Sequence, residues 1–236
     1  RLLSSDIKVN HYICSDLNGD LINLWNMIKN DPEYLSNYYE KLWSELNIDD
    51  NKERKRRYFE NVREKYNVEH KAEDFLFIMR TTTRTTTNGM PRYNKEGRFN
   101  NSFHITRNGI FPTKLRKVLL EWSELLNKYD VEFKCCDYSE IVSDKNDLLY
   151  LDPPYANTKG MYYGSLDLQR FFGWLETQKG YYLLSFDGKS GEVDNTYDLP
   201  SNLYSEHKYI LSGNSSFKRT IGKSNDSIVY ESLYLK

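Results

Sequence analysis

The period of the apolar residues changes several times along the chain, and each change marks an element. Residues 1–10 read as the end of a helix followed by a turn. His11-Tyr12-Ile13-Cys14 then reads as a short buried strand that stops at the polar turn Ser15-Asp16-Leu17-Asn18. Leu21, Leu24, Trp25 and Ile28 follow at helical spacing, with Asp20 as the expected N-cap and Pro32 beyond the far end. Tyr34, Leu35, Tyr38, Tyr39, Leu42, Trp43 and Leu46 mark one face of an amphipathic helix, and the charged segment 52–59 predicts another. Residues 75–79 are apolar and helix-like. From Thr81 both periods vanish in TTTRTTTNGMPRYNKEGRFNNSFHITRNG, a stretch of loop and short hairpin type with turn signals at Asn88-Gly89 and Lys95-Glu96-Gly97.

Periodicity returns at Pro112, where Leu115, Val118, Leu119, Trp122, Leu125 and Leu126 define a helical face. Residues 131–135 alternate as a strand that ends at Cys136-Asp137-Tyr138-Ser139. LLYL at 148–151 is an apolar run of buried-strand type, cut off by Asp152-Pro153-Pro154-Tyr155. A helix is expected over 166–178, and 181–186 predicts a strand with Asp187-Gly188 at its end. In the tail, two strands near 209–211 and 227–235 flank a polar loop that carries Lys218 and Arg219. Strands alternating with helices in this way predict an α/β fold.

Composition narrows the picture. At 236 residues the chain holds one α/β domain with an inserted subdomain, or two domains. A net charge of -1 means that any nucleic-acid surface is built from local basic clusters. The run at 52–57 is one such cluster, and it reads either as a solvated helix face or as a phosphate-contacting surface. Three cysteines, with Cys135 and Cys136 adjacent, match neither a disulfide framework nor a zinc spacing, so a reducing cytoplasm and no metal are expected. No apolar stretch reaches membrane-spanning length, so no membrane partner is expected.

The chemistry concentrates at residues 152–155. Ligands bind at the carboxyl edge of open α/β sheets. There Asp152 and the Pro153 carbonyl offer only acceptors, which suit the two N–H bonds of an exocyclic amine such as adenine N6, and Tyr155 offers a face for the ring. Pro153 and Pro154 stiffen the loop. Asp16, an acid at the end of an early strand, is the candidate partner for the ribose hydroxyls of a nucleoside cofactor.

DPPY after an apolar strand resembles motif IV of the S-adenosylmethionine-dependent amino-methyltransferases, and its surroundings resemble the Dam-type DNA adenine-N6 methyltransferases of bacteria and phages. Glutamine methyltransferases carry Asn where Asp152 stands and cytosine-N4 enzymes usually carry Ser, so the resemblance implies adenine as the target. SDLNGDLINLWNMIK, at 15–29, is similar to the family's segment around the ribose-binding acid and supports Asp16. Asp137 and Tyr138 fall where the family contacts the cofactor's adenine. Residues 88–94, NGMPRYN, and 97–100, GRFN, resemble the family's target-recognition hairpin. This implies that Asn88, Met90, Arg92, Asn94, Arg98 and Asn100 contact DNA, with Arg92 reading a guanine through O6 and N7. Lys218 and Arg219 would meet phosphates. Where relatives carry V-P-F-G this chain has Asn101-Ser102-Phe103-His104, so a GATC target does not follow.

The resemblance implies an α/β fold, a Rossmann-like S-adenosylmethionine-dependent methyltransferase sheet with an inserted, mainly helical target-recognition subdomain. Residues 1–30 and 114–236 would form the catalytic domain and 31–113 the subdomain. The expected function is site-specific methylation of adenine N6 in double-stranded DNA with S-adenosyl-L-methionine as donor, by a monomer in a bacterial cytoplasm, in a phage or restriction-modification setting. The family's glycine-rich F-x-G-x-G loop has no counterpart, since no G-x-G occurs, and a fragment of a longer chain is expected. A catalytically inactive DNA-binding module and a methyltransferase acting on RNA or protein are the competing readings. The tyrosine-rich segment 156–164 is a candidate lid over a flipped base.

Overall fold

The structure, a computed structural model, describes Leu3 and residues 7–82, 91–154, 166–214 and 228–236. The chain divides into two compact units, Arg1–Tyr138 and Ser139–Lys236.

In the first unit β1 (Tyr12–Asp16) and β2 (Val131–Cys135) pair in parallel, with Tyr12 opposite Val131 and Asp16 opposite Cys135. Between them run α1 (Gly19–Asn30), α2 (Pro32–Leu46), α3 (Lys52–Glu69), α4 (Ala72–Thr81) and α5 (Pro112–Lys128). The cap of α1 is Asn18, not the expected Asp20: its side-chain oxygen accepts the Leu21 N–H at 3.1 Å. Asp20 is thereby left in the first turn, where it faces α3. Pro32 opens α2 instead of merely following α1, because a residue without an N–H loses nothing at the first helical position. Residues 72–81 are helical, a longer span than the apolar run 75–79 signals, and Phe75, Leu76, Phe77 and Ile78 are all buried. A helix that is apolar all round belongs in a core. Around it Leu35, Tyr39, Leu46, Phe59 and Tyr66 are fully buried, each stabilising the unit by about 1.5–3 kcal/mol in the aliphatic and Phe cases. Charged groups enter this core as well: Asp74 has no exposure and meets Lys65 Nζ at 3.0 Å and the Tyr38 hydroxyl at 3.0 Å, and Lys55 and Glu73 are 4% and 6% exposed.

The second unit is a five-stranded mixed sheet in the order β3 (Leu148–Leu151), β4 (Tyr181–Ser190), β7 (Ile228–Leu235), β6 (Glu206–Asn214), with β5 (Val193–Asp194) on the end of β4. β3 runs parallel to β4, whereas β4 with β7 and β6 with β7 are antiparallel. α6 (Leu168–Thr177) buries Phe171, Trp174 and Leu175, and the core continues through Tyr182, Leu184, Phe186 and Tyr234. Two expectations need correction here. β4 does not stop at Phe186 but continues to Ser190 through an irregularity between Phe186 and Lys189. Gly188 sits in it, where a Cβ would come within 2.1 Å of the Tyr230 carbonyl oxygen. β3, expected to be buried, is the outermost strand among the described residues, and Leu148 and Tyr150 are 61% and 65% exposed. The α/β class therefore stands, with one parallel and one mixed sheet among the described residues.

Candidate functional site

Asp152, Pro153 and Pro154 follow β3 directly, at the carboxyl end of the parallel β3–β4 pair. Pairing ends there because the two prolines have no N–H to donate. Asp152 is exposed, while Ser185 and Asp187 on β4 are 5% and 8% exposed. The Tyr150 phenol is held above its ordinary range by partial desolvation and then by the negative charges of Asp152 and Glu231. This end of the sheet is therefore acidic and rich in acceptors, as an amine-holding site requires. Tyr155 and the segment 156–164 lie outside the described residues.

In the first unit Asp16 ends β1 and its Oδ1 accepts the Asn18 N–H at 2.7 Å. Asp137 and Tyr138 follow the neighbouring parallel strand β2, so three of the four sequence-predicted cofactor residues come from adjacent strand ends, while the fourth, Asp152, which is also the expected amine-holding group, follows β3 in the second unit. Asp16 also borders a cleft of about 350 Å³, lined by Cys14, Ser15, Trp25, Trp122 and Phe133 among others. Trp25 stacks on Phe133 at 5.7 Å and meets Trp122 edge-on at 5.3 Å. Partial desolvation pushes the Cys14 thiol up, although the residue stays exposed to solvent. A carboxylate at the rim of an aromatic cleft fits a nucleoside, which needs an acceptor for its ribose hydroxyls and apolar surface for its base.

Of the sequence-predicted DNA contacts, Arg92, Asn94, Arg98 and Asn100 fall in one hairpin, while Asn88, Met90, Lys218 and Arg219 lie outside the described residues. The expected turn is present: Gly97, at φ 76°, donates to the Asn94 carbonyl, and the Asn94 N–H donates to the Arg98 carbonyl at 2.9 Å. The Asn94 side-chain oxygen accepts the N–H groups of Glu96 and Arg98 at 3.0 and 2.9 Å, so its carboxamide shapes the turn. The Arg98 guanidinium is ion-paired with Glu64 of α3. Two of the five basic residues in the run 52–57 are committed to structure, while Lys52, Arg56 and Arg57 are exposed. Arg54 binds Asp49 and the carbonyls of Glu45 and Leu46, and Lys55, 4% exposed, reaches Asn47, Asp50 and Asn108.

Three side chains that sequence reasoning did not connect with this hairpin support it. Asn67 of α3 binds both backbone groups of Phe99, and Asn101, 3% exposed, accepts the Arg92 N–H at 2.6 Å. Asp20 accepts the Tyr66 hydroxyl, which lies 3.4 Å from the hydroxyl of Tyr93. The signal that was available is Asn67 itself, a poor helix former near the end of a long helix, which needs a partner there.

The profile of D12 class N6 adenine-specific DNA methyltransferases matches residues 3–180. The chain is similar to the DNA adenine methylase of Haemophilus influenzae, at 30% identity over 61% of this chain and 48% of that protein. It is also similar to the type II methyltransferase M.FokI of Planomicrobium okeanokoites, at 26% identity over 95% of this chain and 36% of that protein, and to the DNA N-6-adenine-methyltransferase of Escherichia phage P1, at 26% over 63% and 19%. The chain spans about half the length of the DNA adenine methylases it matches. With an Asp-Pro-Pro turn at the end of a parallel strand and a match that covers most of its residues, the chain belongs to the family of D12 class N6 adenine-specific DNA methyltransferases.

Proposed function

We propose that this chain acts as a site-specific DNA adenine methyltransferase, moving a methyl group from S-adenosylmethionine to N6 of an adenine turned out of duplex DNA. The observation that carries the reading is the placement of Asp152-Pro153-Pro154 at the carboxyl end of the β3–β4 pair. Asp152 and the Pro153 carbonyl accept the two N–H bonds of the amine and so aim its lone pair along the line of attack. Pro154 keeps that carbonyl out of any helix, and Tyr155 stacks on the base. The donor supplies an electrophilic methyl group; the N–C bond forms as the S–C bond breaks, and N6 then releases one proton. Because alkylation acidifies the amine, Asp152 holds and orients it without acting as a strong base. Asp16 takes the ribose hydroxyls of the donor, with Asp137 and Tyr138 beside its adenine.

In this reading Arg92 enters the major groove to read guanine, supported by Asn88, Met90, Arg98 and Asn100, and Lys218 and Arg219 meet phosphates. Residues 1–30 and 114–236 serve catalysis within a Rossmann-like frame, and the mainly helical 31–113 region serves recognition. The protein works as a monomer on double-stranded DNA in the cytoplasm and needs no metal.

The test is transfer of labelled methyl to unmethylated duplex DNA by the chain and by its Asp152→Ala variant. Label on adenine N6 that disappears in the variant is the expected result. Equal transfer by both would overturn the assignment, and duplex binding without transfer or donor binding would favour an inactive recognition module.

A further inference from the structure

We propose that Asn67 is a positioning residue that sets the base specificity of the hairpin by acting as a substitute strand for Phe99. This rests on the reading of Arg92 as a base-contacting residue. The hairpin is short: one β-bridge joins Tyr93 to Phe99, and the Asn100 N–H donates to the Arg92 carbonyl at 2.8 Å. So small a ladder cannot hold its own geometry in water. The outer edge of the Phe99 arm is completed by a helix side chain instead. The Phe99 N–H donates to Asn67 Oδ1 at 2.7 Å, and Asn67 Nδ2 donates back to the Phe99 carbonyl at 3.2 Å.

One side of a carboxamide presents an N–H donor and a carbonyl acceptor next to each other, so it can pair with the N–H and C=O that a single residue turns outward at a strand edge, as a neighbouring strand would. Its orientation is dictated, since the reversed amide would set donor against donor. Asn67 is 9% exposed, which strengthens both bonds. The Phe99 ring is 1% exposed and lies edge-on to Tyr66, the residue preceding Asn67, at 5.9 Å. Backbone and ring of Phe99 are therefore both fixed to α3. From Phe99 the constraint passes to Arg92 by two routes. Its carbonyl is held by Asn100, and its N–H by Asn101 Oδ1, while the Asn101 carbonyl accepts Arg63 Nη1 of α3 at 3.3 Å. A guanidinium that must meet O6 and N7 of one base gains its discrimination from a backbone placed in advance.

The test uses the full chain and a pool of random-sequence duplex DNA, with the bound fraction sequenced, alongside amide hydrogen exchange over residues 91–101. Asn67→Ala is expected to speed exchange at Phe99 and to cut the preference at the base read by Arg92 by about tenfold, the equivalent of one buried hydrogen bond, with bulk duplex affinity within about twofold. Asn67→Asp sets a carboxylate oxygen against the Phe99 carbonyl and is expected to lose at least as much as Asn67→Ala, whereas Asn67→Gln, which keeps both donor and acceptor on a longer stem, falls between the parent and Asn67→Ala and carries the same comparison should Asn67→Ala fail to fold. Faster exchange with unchanged preference, unchanged exchange, or an equal loss of affinity for every sequence would each overturn the proposal. Arg92→Ala separates the two readings: if it enriches the same sequences as the unsubstituted chain, Arg92 does not read a base, and the recognition reading fails together with the role of Asn67.

Discussion

Tyr66 donates its hydroxyl to the carboxylate of Asp20, joining α3 to the first turn of α1, two residues after the asparagine that Asp16 holds. Asp20 also meets His70 Nδ1 at 3.0 Å, in the left-handed residue that ends α3. The Tyr66 phenol is pushed far above its ordinary range, by burial first and then by Asp20. Tyr66→Phe removes the donor and leaves Asp20 with a more exposed partner. The expected cost is about 1–3 kcal/mol, the penalty of stranding a largely buried acceptor, read from denaturant unfolding.

Asp74 is the most deeply buried charged residue among the described residues of the first unit, and Lys65 is its counter-charge. Removing one partner of a buried pair costs about 3–5 kcal/mol, and Lys65→Ala is expected at the low end because the Lys65 side chain is 39% exposed. The double variant Lys65→Ala with Asp74→Asn should recover part of the loss, which thermal unfolding would register. No recovery would mean that the charge is not what Lys65 answers.

Gly188 lies against β7 at the irregularity between Phe186 and Lys189. A Cβ there meets the Tyr230 oxygen at 2.1 Å and the Ser232 nitrogen at 2.9 Å, both backbone atoms that cannot swing away. Gly188→Ala is expected to destabilise the second unit by about 1–3 kcal/mol or more and to raise hydrogen exchange along the β4–β7 ladder. A variant as stable as the parent would show that the ladder yields there at no cost.

Alkaline pH gives a prediction of definite sign. Burial pushes the phenols of Tyr39, Tyr58, Tyr182 and Tyr234 from their ordinary value of 10 to about 12. Their folded values lie above their unfolded ones, so the stability they contribute is complete below pH 10 and is lost as pH rises from 10 through 12. Phenolate absorbance followed together with circular dichroism should show ionisation and unfolding in step. Ionisation of all tyrosines near pH 10 with the fold intact would contradict this burial.

Glu64 partly cancels the charge that Arg98 brings to the hairpin. Under the recognition reading, Glu64→Gln should raise duplex affinity a few-fold at low salt and steepen the salt dependence by up to about one counter-ion, because one more cation faces phosphate. Unchanged salt dependence would place Arg98 away from the DNA.

Much of this was legible in the chain because it is local. The helical faces of α1 and α2, the proline start of α5 and the turn at Asn94 to Gly97 follow from residues within a few positions of one another. Less legible was whatever depends on partners far along the chain. LLYL at 148–151 has the composition of a central strand, and only the pairing order shows it at an edge. Asn94 carries a side chain suited to bases, yet its oxygen serves its own turn; Lys55 belongs to a basic run, yet it is buried against Asn108. Asn67 could not be tied to Phe99 by spacing, since 32 positions separate them.

The position of β3 carries a kinetic consequence. The aspartate proposed to hold the amine is tethered to a strand that has β4 on one side and no described neighbour on the other. Among the described strands of its sheet β3 is the outermost, and an outer strand of four residues can fray without the rest of the sheet opening. Heating should therefore silence transfer some degrees before the circular dichroism signal moves, and a duplex that engages Asp152 should narrow that gap by stapling the rim in place.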